Sequence, residues 1–287
     1  MNAVRKREVV PTGRSLGAEV KGVDVALGVT EEDMACVRDA LHRYGVIVLR
    51  NQRITPRQQV DFAGRLGKLR VSFMRDLSVE GQPELTVVSN IKHDGKPIGL
   101  MDAGALWHSD GSYLPQPDMY TVLHSLQIPK QDGRPLGDTL FLSASAAYDQ
   151  LPDSLRHRVD GLRAVHSLSH HLEMKQAGGF NVPPVKDAKP DVEHPAVRAH
   201  PVSGRKCLFV TEGHTKCIVG MPREESDALL KELCAHLKRP DNVYAHKWQE
   251  DDLLVWDNCG TQHLAITDYG DMPRRLHRAG IEGPVPV

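Results

Sequence analysis

The sequence predicts an α+β chain that is mostly β, a sandwich of strands with helices packed on its outside. Three observations point there. Runs rich in β-branched and apolar residues recur along the whole chain: VIVLR at 46–50, LTVVS at 85–89, YTVLHSL at 120–126, CLFV at 207–210 and LLVW at 253–256, each bounded by Pro, Gly, Asp or Asn. Helical periodicity is confined to a few segments. The two kinds do not alternate, as a doubly wound parallel sheet requires.

Taken in order, residues 14–29 hold short apolar alternation and glycines, as in LGAEVKGVDV, which suits a strand and a turn. Thr30 reads as an N-cap. Acidic residues follow it, and Met34, Val37, Leu41 and Tyr44 at helical spacing predict an amphipathic helix over 31–44. VIVLR is then a buried strand. Thr55 before Pro56 starts a second helix, because proline at the first helical position gives up only a donor that has no partner there; Gly67 is expected to end it. Among later segments only Glu224 to Leu237 is clearly helical, with Leu229, Leu230, Leu233 and Leu237 on one face. Residues 166–201, rich in His, Gly, Pro and Lys, predict a long loop, which in a compact fold serves as an active-site lid or a mobile segment. No repeat or low-complexity linker divides the chain, so residues 1–287 are expected to form a single domain.

Composition excludes some classes of partner. A hydrophobic fraction of 40%, a charged fraction of 25% and a formal net charge of -1 are those of an ordinary globular protein, giving no electrostatic case for nucleic acid or a membrane surface. The five cysteines form no C-x-x-C pair and read as reduced thiols. MNAVRKREVV is followed by no apolar leader-like run, so a cytoplasmic location is expected.

WHSDGSY places His108 and Asp110 two apart, and in an extended chain such residues point to one side. Alone this means little, since about one H-x-D pair arises by chance among so many histidines. The far end strengthens it: WDNCGTQHLAITDYGDMPRRLHRAGI supplies His263 after an apolar strand, with arginines close behind. Two histidines and a carboxylate make a facial triad that leaves positions open on non-haem iron. Arg274 is a natural clamp for a carboxylate, because its planar fork matches two oxygens at once. The ligand types alone equally permit a zinc hydrolase.

The chain resembles the family of taurine dioxygenase and 2,4-dichlorophenoxyacetate dioxygenase. The likeness runs through LGAEVKGVDV at 16–25, GVIVLRNQRITPRQQVDFAGRLG at 45–67, WHSDGSY at 107–113, GDTLF at 137–141, HPAVRAHPVSGRKCLFV at 194–210 and WDN through HR at 256–278. It implies a double-stranded β-helix, a jelly-roll and cupin-like core with flanking helices, and an enzyme dependent on Fe(2+), 2-oxoglutarate and O2 that hydroxylates a small organic substrate with release of succinate and CO2. By the same resemblance His108, Asp110 and His263 fall on the iron ligands. Thr139 and Arg274 fall on the pair that grips the distal carboxylate of 2-oxoglutarate, and Arg278 on the arginine reaching the iron-side carboxylate or a substrate anion. Trp256, Asp257 and Asn258 match a supporting signature. Relatives that halogenate lack the carboxylate, so Asp110 favours hydroxylation.

The chain also departs from the family. Cys259 stands where an arginine commonly follows WDN. Ser72, Arg75 and Gly104 replace the residues that hold taurine's sulfonate and amine, so taurine is not the expected substrate. Arg75 with Arg278 predicts a different anionic small molecule, and a homo-oligomer is compatible with the sequence. Two further motifs are set aside. GRSLG at 13–17 satisfies G-x-S-x-G but precedes any central strand, and His166, His170 and His171 read as a solvated segment rather than metal ligands. A non-catalytic binding protein on the same fold is the remaining alternative; intact ligands and the dicarboxylate clamp argue against it and against the hydrolase.

Overall fold

The computed structural model describes residues 6–12, 16–72, 74–182 and 189–287. Helix α1, Glu31–Tyr44, begins as expected: the Thr30 hydroxyl accepts from the Asp33 N–H, and Asp33 reaches back to the Thr30 N–H in a capping box. Gly45, in the left-handed region at φ 68°, ends it. Helix α2, Pro56–Gly64, carries a second capping box between Thr55 and Gln58. It stops at Gly64 with Arg65 as C-cap, before the expected Gly67. That glycine answers a different need, since a Cβ there would sit 2.8 Å from Ile281 Cγ2.

Nine strands form the main sheet. Its path runs through β1 (Glu8–Pro11), β2 (Ala18–Lys21), β3 (Val46–Leu49), β11 (Leu253–Asp257), β5 (Asp118–Gln127), β13 (Arg275–Glu282), β4 (Gln82–Ser89) and the edge pair Ser78–Val79, with Leu69–Arg70 also on β13. Only β2 and β3 run parallel; the other pairs are antiparallel. A three-stranded sheet sets β6 (Thr139–Ser143) between β10 (Val243–His246) and β12 (Thr261–Ala265). Another sets β7 (Arg163–His166) between β8 (Val192–Pro195) and β9 (Thr215–Ile218).

The strand-rich, mixed α and β body buries apolar surface in three clusters. Helices α1 and α2 press Met34, Val37, Leu41, Val60 and Phe62 against the main sheet. Phe141, Trp248 and Trp256 fill the space behind β6 and β11. Helix α6, Arg223–Leu237, lays Leu229, Leu233 and Leu237 onto Leu208, Val210 and Ile218, with Leu230 at the margin.

Three helices escape the sequence reading: α3 (Ala144–Asp149), α4 (Asp153–Val159) and α5 (Leu168–Ala177). The first two are shorter than two turns and show no period. The third lies inside the stretch expected to be a loop, started by the Ser167 hydroxyl accepting from the His170 N–H. His166 is also fully buried rather than solvated. The first part of GRSLG lies outside the described residues. All five cysteines are free thiols. Among the described residues no helix is long and apolar enough to cross a membrane.

Candidate active site

His108 and His263 meet through an isolated antiparallel bridge, each N–H donating to the other's carbonyl at 3.1 and 2.9 Å, with ring centroids 4.1 Å apart. The bridge extends the edge of the β6 sheet at β12. Asp110 lies two residues on and turns to the same side. Its Oδ1 is 3.6 Å from His108 Nε2 and its Oδ2 is 3.9 Å from His263 Nε2. One ligand atom from each of the three lies within 4.8 Å of the others, the sole such group of His, Cys, Asp and Glu among the described residues.

Protonation suits a cation. His108 Nδ1 donates to the Leu106 carbonyl at 2.7 Å, because a carbonyl only accepts, and this leaves the Nε2 lone pair toward the cluster. Burial, with His108 alongside, holds His263 well below the usual imidazole range, so that ring is neutral. Burial would raise the Asp110 carboxyl, but the Arg278 guanidinium leads the contacts that outweigh it and keep it well below the usual carboxylate range. The Thr121 hydroxyl donates to Asp110 Oδ2 at 2.6 Å, and the Asp110 N–H donates to Asn258 Oδ1 at 3.2 Å. Asn258 is itself fixed by the Trp256 indole N–H and by donating to Thr121. Asp257 accepts from the Cys259 and Gly260 N–H groups and pairs with His200. The expected supporting role of WDN has this physical content. Cys259 packs on Met119 in the core.

Thr139, at the start of β6, and Arg274, just before β13, sit nearby. In the β6–β12 register Thr139 faces Ala265 and Phe141 faces His263, so Thr139 and His263 belong to one face. Thr139 Oγ1 accepts from the Trp248 indole at 3.0 Å. Arg274 is buried between the rings of Trp248 and Tyr269. Its Nη2 donates to the Gly137 carbonyl at 3.2 Å, its Nε has no partner, and among the described residues no carboxylate reaches it. Burial accordingly pushes its pKa down. Gly137, at φ +77°, leaves room for it: a Cβ there would lie 2.9 Å from Arg274 Nε.

One cavity of about 210 Å³ is lined by all three cluster residues, Thr139, Arg274, Arg278, Ser72 and Gly104. Arg278 is already doubly paired, to Asp110 at 3.0 Å and to Asp118 at 2.9 Å, while Arg70 holds the other Asp118 oxygen at 2.5 Å. Its charge is thus already matched by two carboxylates of the chain, beside the anion role the resemblance implies for it. Arg75 departs further: it is exposed in the short turn Arg75–Leu77 and does not line the cavity. Water solvates a guanidinium that has no carboxylate at hand. Asp118, Tyr113, His214 and Lys175 also line the cavity and carried no recognisable spacing in the sequence, and His171, expected in a solvated segment, lines it too. Gly280 was equally silent, yet a Cβ there would lie 2.6 Å from Asp118 Oδ2.

Comparison with known proteins agrees with this geometry. Residues 8–279 match the family described as taurine catabolism dioxygenase TauD, TfdA family. The chain is 30% identical to an alpha-ketoglutarate-dependent sulfate ester dioxygenase of Pseudomonas putida, over 98% of this chain and 91% of that one. It is 34% identical to an alpha-ketoglutarate-dependent 2,4-dichlorophenoxyacetate dioxygenase of Cupriavidus pinatubonensis, over 91% and 93%. Among solved structures, AAD-2 in complex with Mn(II) and N-oxalylglycine superposes with a TM-score of 0.80 at 30% identity, covering 98% of this chain and 99% of that one. Identity at this level over nearly the full length, on a shared fold, means that the chain belongs to the TauD, TfdA dioxygenase family.

Proposed function

We propose that the protein is an iron(II)- and 2-oxoglutarate-dependent dioxygenase that hydroxylates a small organic anion and releases succinate and carbon dioxide. The observation that carries the reading is Arg274: a buried guanidinium with no carboxylate partner among the described residues, in one cavity with a two-histidine, one-carboxylate cluster. A buried unpaired charge is costly, and a dicarboxylate co-substrate removes that cost. A hydrolase has no use for such a clamp.

The donor set fits iron(II). Two imidazoles and a carboxylate are the donor types that a non-haem iron(II) site takes. His108, Asp110 and His263 would hold the metal; Arg274 and Thr139 would grip the distal carboxylate of 2-oxoglutarate. When bound, iron, 2-oxoglutarate and dioxygen supply the oxidising power for hydroxylation. The chain's own contribution is orientation. Leu106 fixes the His108 tautomer, Thr121 and Asn258 fix Asp110, and Arg278 keeps Asp110 ionised while bridging to Asp118. Trp256, 4.8 Å from the His263 ring, packs the ligand from behind.

The same reading takes the strand-rich body as one double-stranded β-helix domain, with α5 as a cover over the cavity. The anionic substrate is proposed from the relatives, whose names specify a sulfate ester and a phenoxyacetate. The test is succinate release on aerobic incubation with iron(II), 2-oxoglutarate and a panel of organic anions, with calorimetry of 2-oxoglutarate binding to the iron-loaded protein. Tight 2-oxoglutarate binding and succinate formation are expected. A protein that binds no 2-oxoglutarate, or hydrolyses an ester with zinc and no oxygen, would overturn the assignment.

A further inference from the structure

Helix α5 turns Leu168, His171, Leu172 and Lys175 toward the cavity. Their spacing, i, i+3, i+4 and i+7, defines one helical face. On a face that is otherwise leucine and neutral imidazole, the last position holds a lysine that is only 3% exposed. Its Nζ donates to the backbone carbonyl of Asp102 at 3.0 Å, and among the described residues no carboxylate lies within ion-pair distance of it. The Asp102 carboxylate is engaged elsewhere, accepting from the Asn181 N–H at 3.0 Å and from its side-chain amide at 2.6 Å. A carbonyl satisfies one of three ammonium donors and none of the charge.

The other cavity cations are accounted for. Arg70 and Arg278 alternate with Asp118 and Asp110 in one chain of ion pairs. Arg274 is the proposed partner of 2-oxoglutarate. Lys175, like Arg274, lines the cavity with no ion pair among the described residues, and it has no partner assigned in the proposed function. One turn back along its face, His171 stacks on His214, with centroids 4.2 Å apart and planes at 12°, and donates from Nδ1 to the Gly213 carbonyl at 3.0 Å. Buried His214, its ring centroid 5.7 Å from that of His108, keeps an Nδ1 with no partner. Two independent features of this wall thus have unmet demand, an ammonium with no ion pair among the described residues and a ring nitrogen with no partner.

We infer that Lys175 recognises the negative head group of the primary substrate, a carboxylate, sulfonate or sulfate ester, with His214 as a neutral hydrogen-bond partner further along the same wall. This deepens the proposed function and rests on it. The role falls to α5 and not to Arg75, and it ties recognition to the cover, since the same ammonium joins α5 to the Asp102 turn. An arriving anion removes the electrostatic cost of burying Lys175.

The experiment is anaerobic calorimetry on the protein loaded with iron(II) and 2-oxoglutarate, titrated with phenoxyacetate, hexanesulfonate and hexyl sulfate, and with phenoxyacetamide, hexanesulfonamide and hexanol as neutral counterparts. The wild type is expected to bind at least one anion ten-fold or more tighter than its counterpart. Lys175→Gln, which keeps a donor for the Asp102 carbonyl but no charge, should abolish that ratio while affinity for the neutral compound stays within two-fold; Lys175→Arg should restore most of it. Lys175→Met serves the same comparison should the glutamine variant not fold. The inference is overturned if the wild type shows no anion preference, if the variants keep it, or if anion and counterpart weaken together, which would make Lys175 a support for α5 only. Absent 2-oxoglutarate heat in the wild type would count against the dioxygenase reading instead, so the two failures are distinguishable.

Discussion

Asp110 touches Thr121 and Arg278, which hold its carboxylate ionised and aimed, and its own N–H donates to Asn258, which fixes the backbone. Replacing His108, Asp110 or His263 by Ala should cut iron(II) affinity by two orders of magnitude or more in equilibrium dialysis and abolish succinate release. A variant with unchanged iron affinity would leave the metal shell. Arg274→Ala should weaken 2-oxoglutarate binding by about 2–5 kcal/mol, as expected when one partner of a buried charge-assisted pair is lost. Thr139→Ala removes a single neutral donor and should weaken it by about 1 kcal/mol. Calorimetry on iron-loaded protein checks both, and equal losses would reject the division of labour. His108, Asp110, His263 and Arg274 were legible as candidates in residue type and spacing, H-x-D and a distant His with arginines behind it, whereas Thr139 was named only by the family resemblance. Arg75 misled because sequence gives an arginine's charge but not whether water or a carboxylate surrounds it.

At the scale of elements, period-two geometry does most of the positioning. Arg274, Arg278 and Gly280 alternate along β13 and its entry, and all three line the cavity. The turn before β6 matters equally, because Gly137 is both left-handed and in contact with the clamp. Gly137→Ala should therefore lower 2-oxoglutarate affinity at least ten-fold while iron affinity stays near wild type, since the added methyl meets Arg274 and Tyr269 and not the metal ligands. Equal effects on both would locate the damage in folding. GDT was readable as a motif, but the reason for its glycine lies in a contact with a residue far along the chain. Helix α1 was legible to the residue, as both of its caps are local chemistry. Helix α5 was not: its inward face mixes leucine with His171 and Lys175, so apolar periodicity, the signal by which helices are found, is erased where the helix meets a polar cavity.

Across the whole molecule, buried histidines set a limit on acid stability. Burial, with His194 and Arg198 nearby, lowers His166 to about 3; burial, with His108, lowers His171 to about 3; and burial, with Arg275, lowers His277 to about 4. His214, His246, His124 and His194 shift the same way. Each is neutral in the folded chain and charges readily once unfolded, where an imidazole titrates near 6.5. Between those values the unfolded state binds more protons, so stability rises with pH through the window. It is complete above about 6.5 and drains away as pH falls toward 4 and 3, the depressed Asp110 adding to the loss at the acid end. His166 alone, fully buried beside Phe209, should contribute on the order of a few kcal/mol. Urea unfolding of the metal-free protein should give similar midpoints at pH 8 and 7 and a markedly lower one at pH 5. His166→Phe, which keeps the ring stacked on Phe209 without a titrating nitrogen, should lose less between pH 7 and 5 than the wild type. A midpoint that does not move from pH 7 to 5, or a variant that falls in parallel with the wild type, would show that these rings are solvated on the titration timescale and that the interior is less closed than their burial implies.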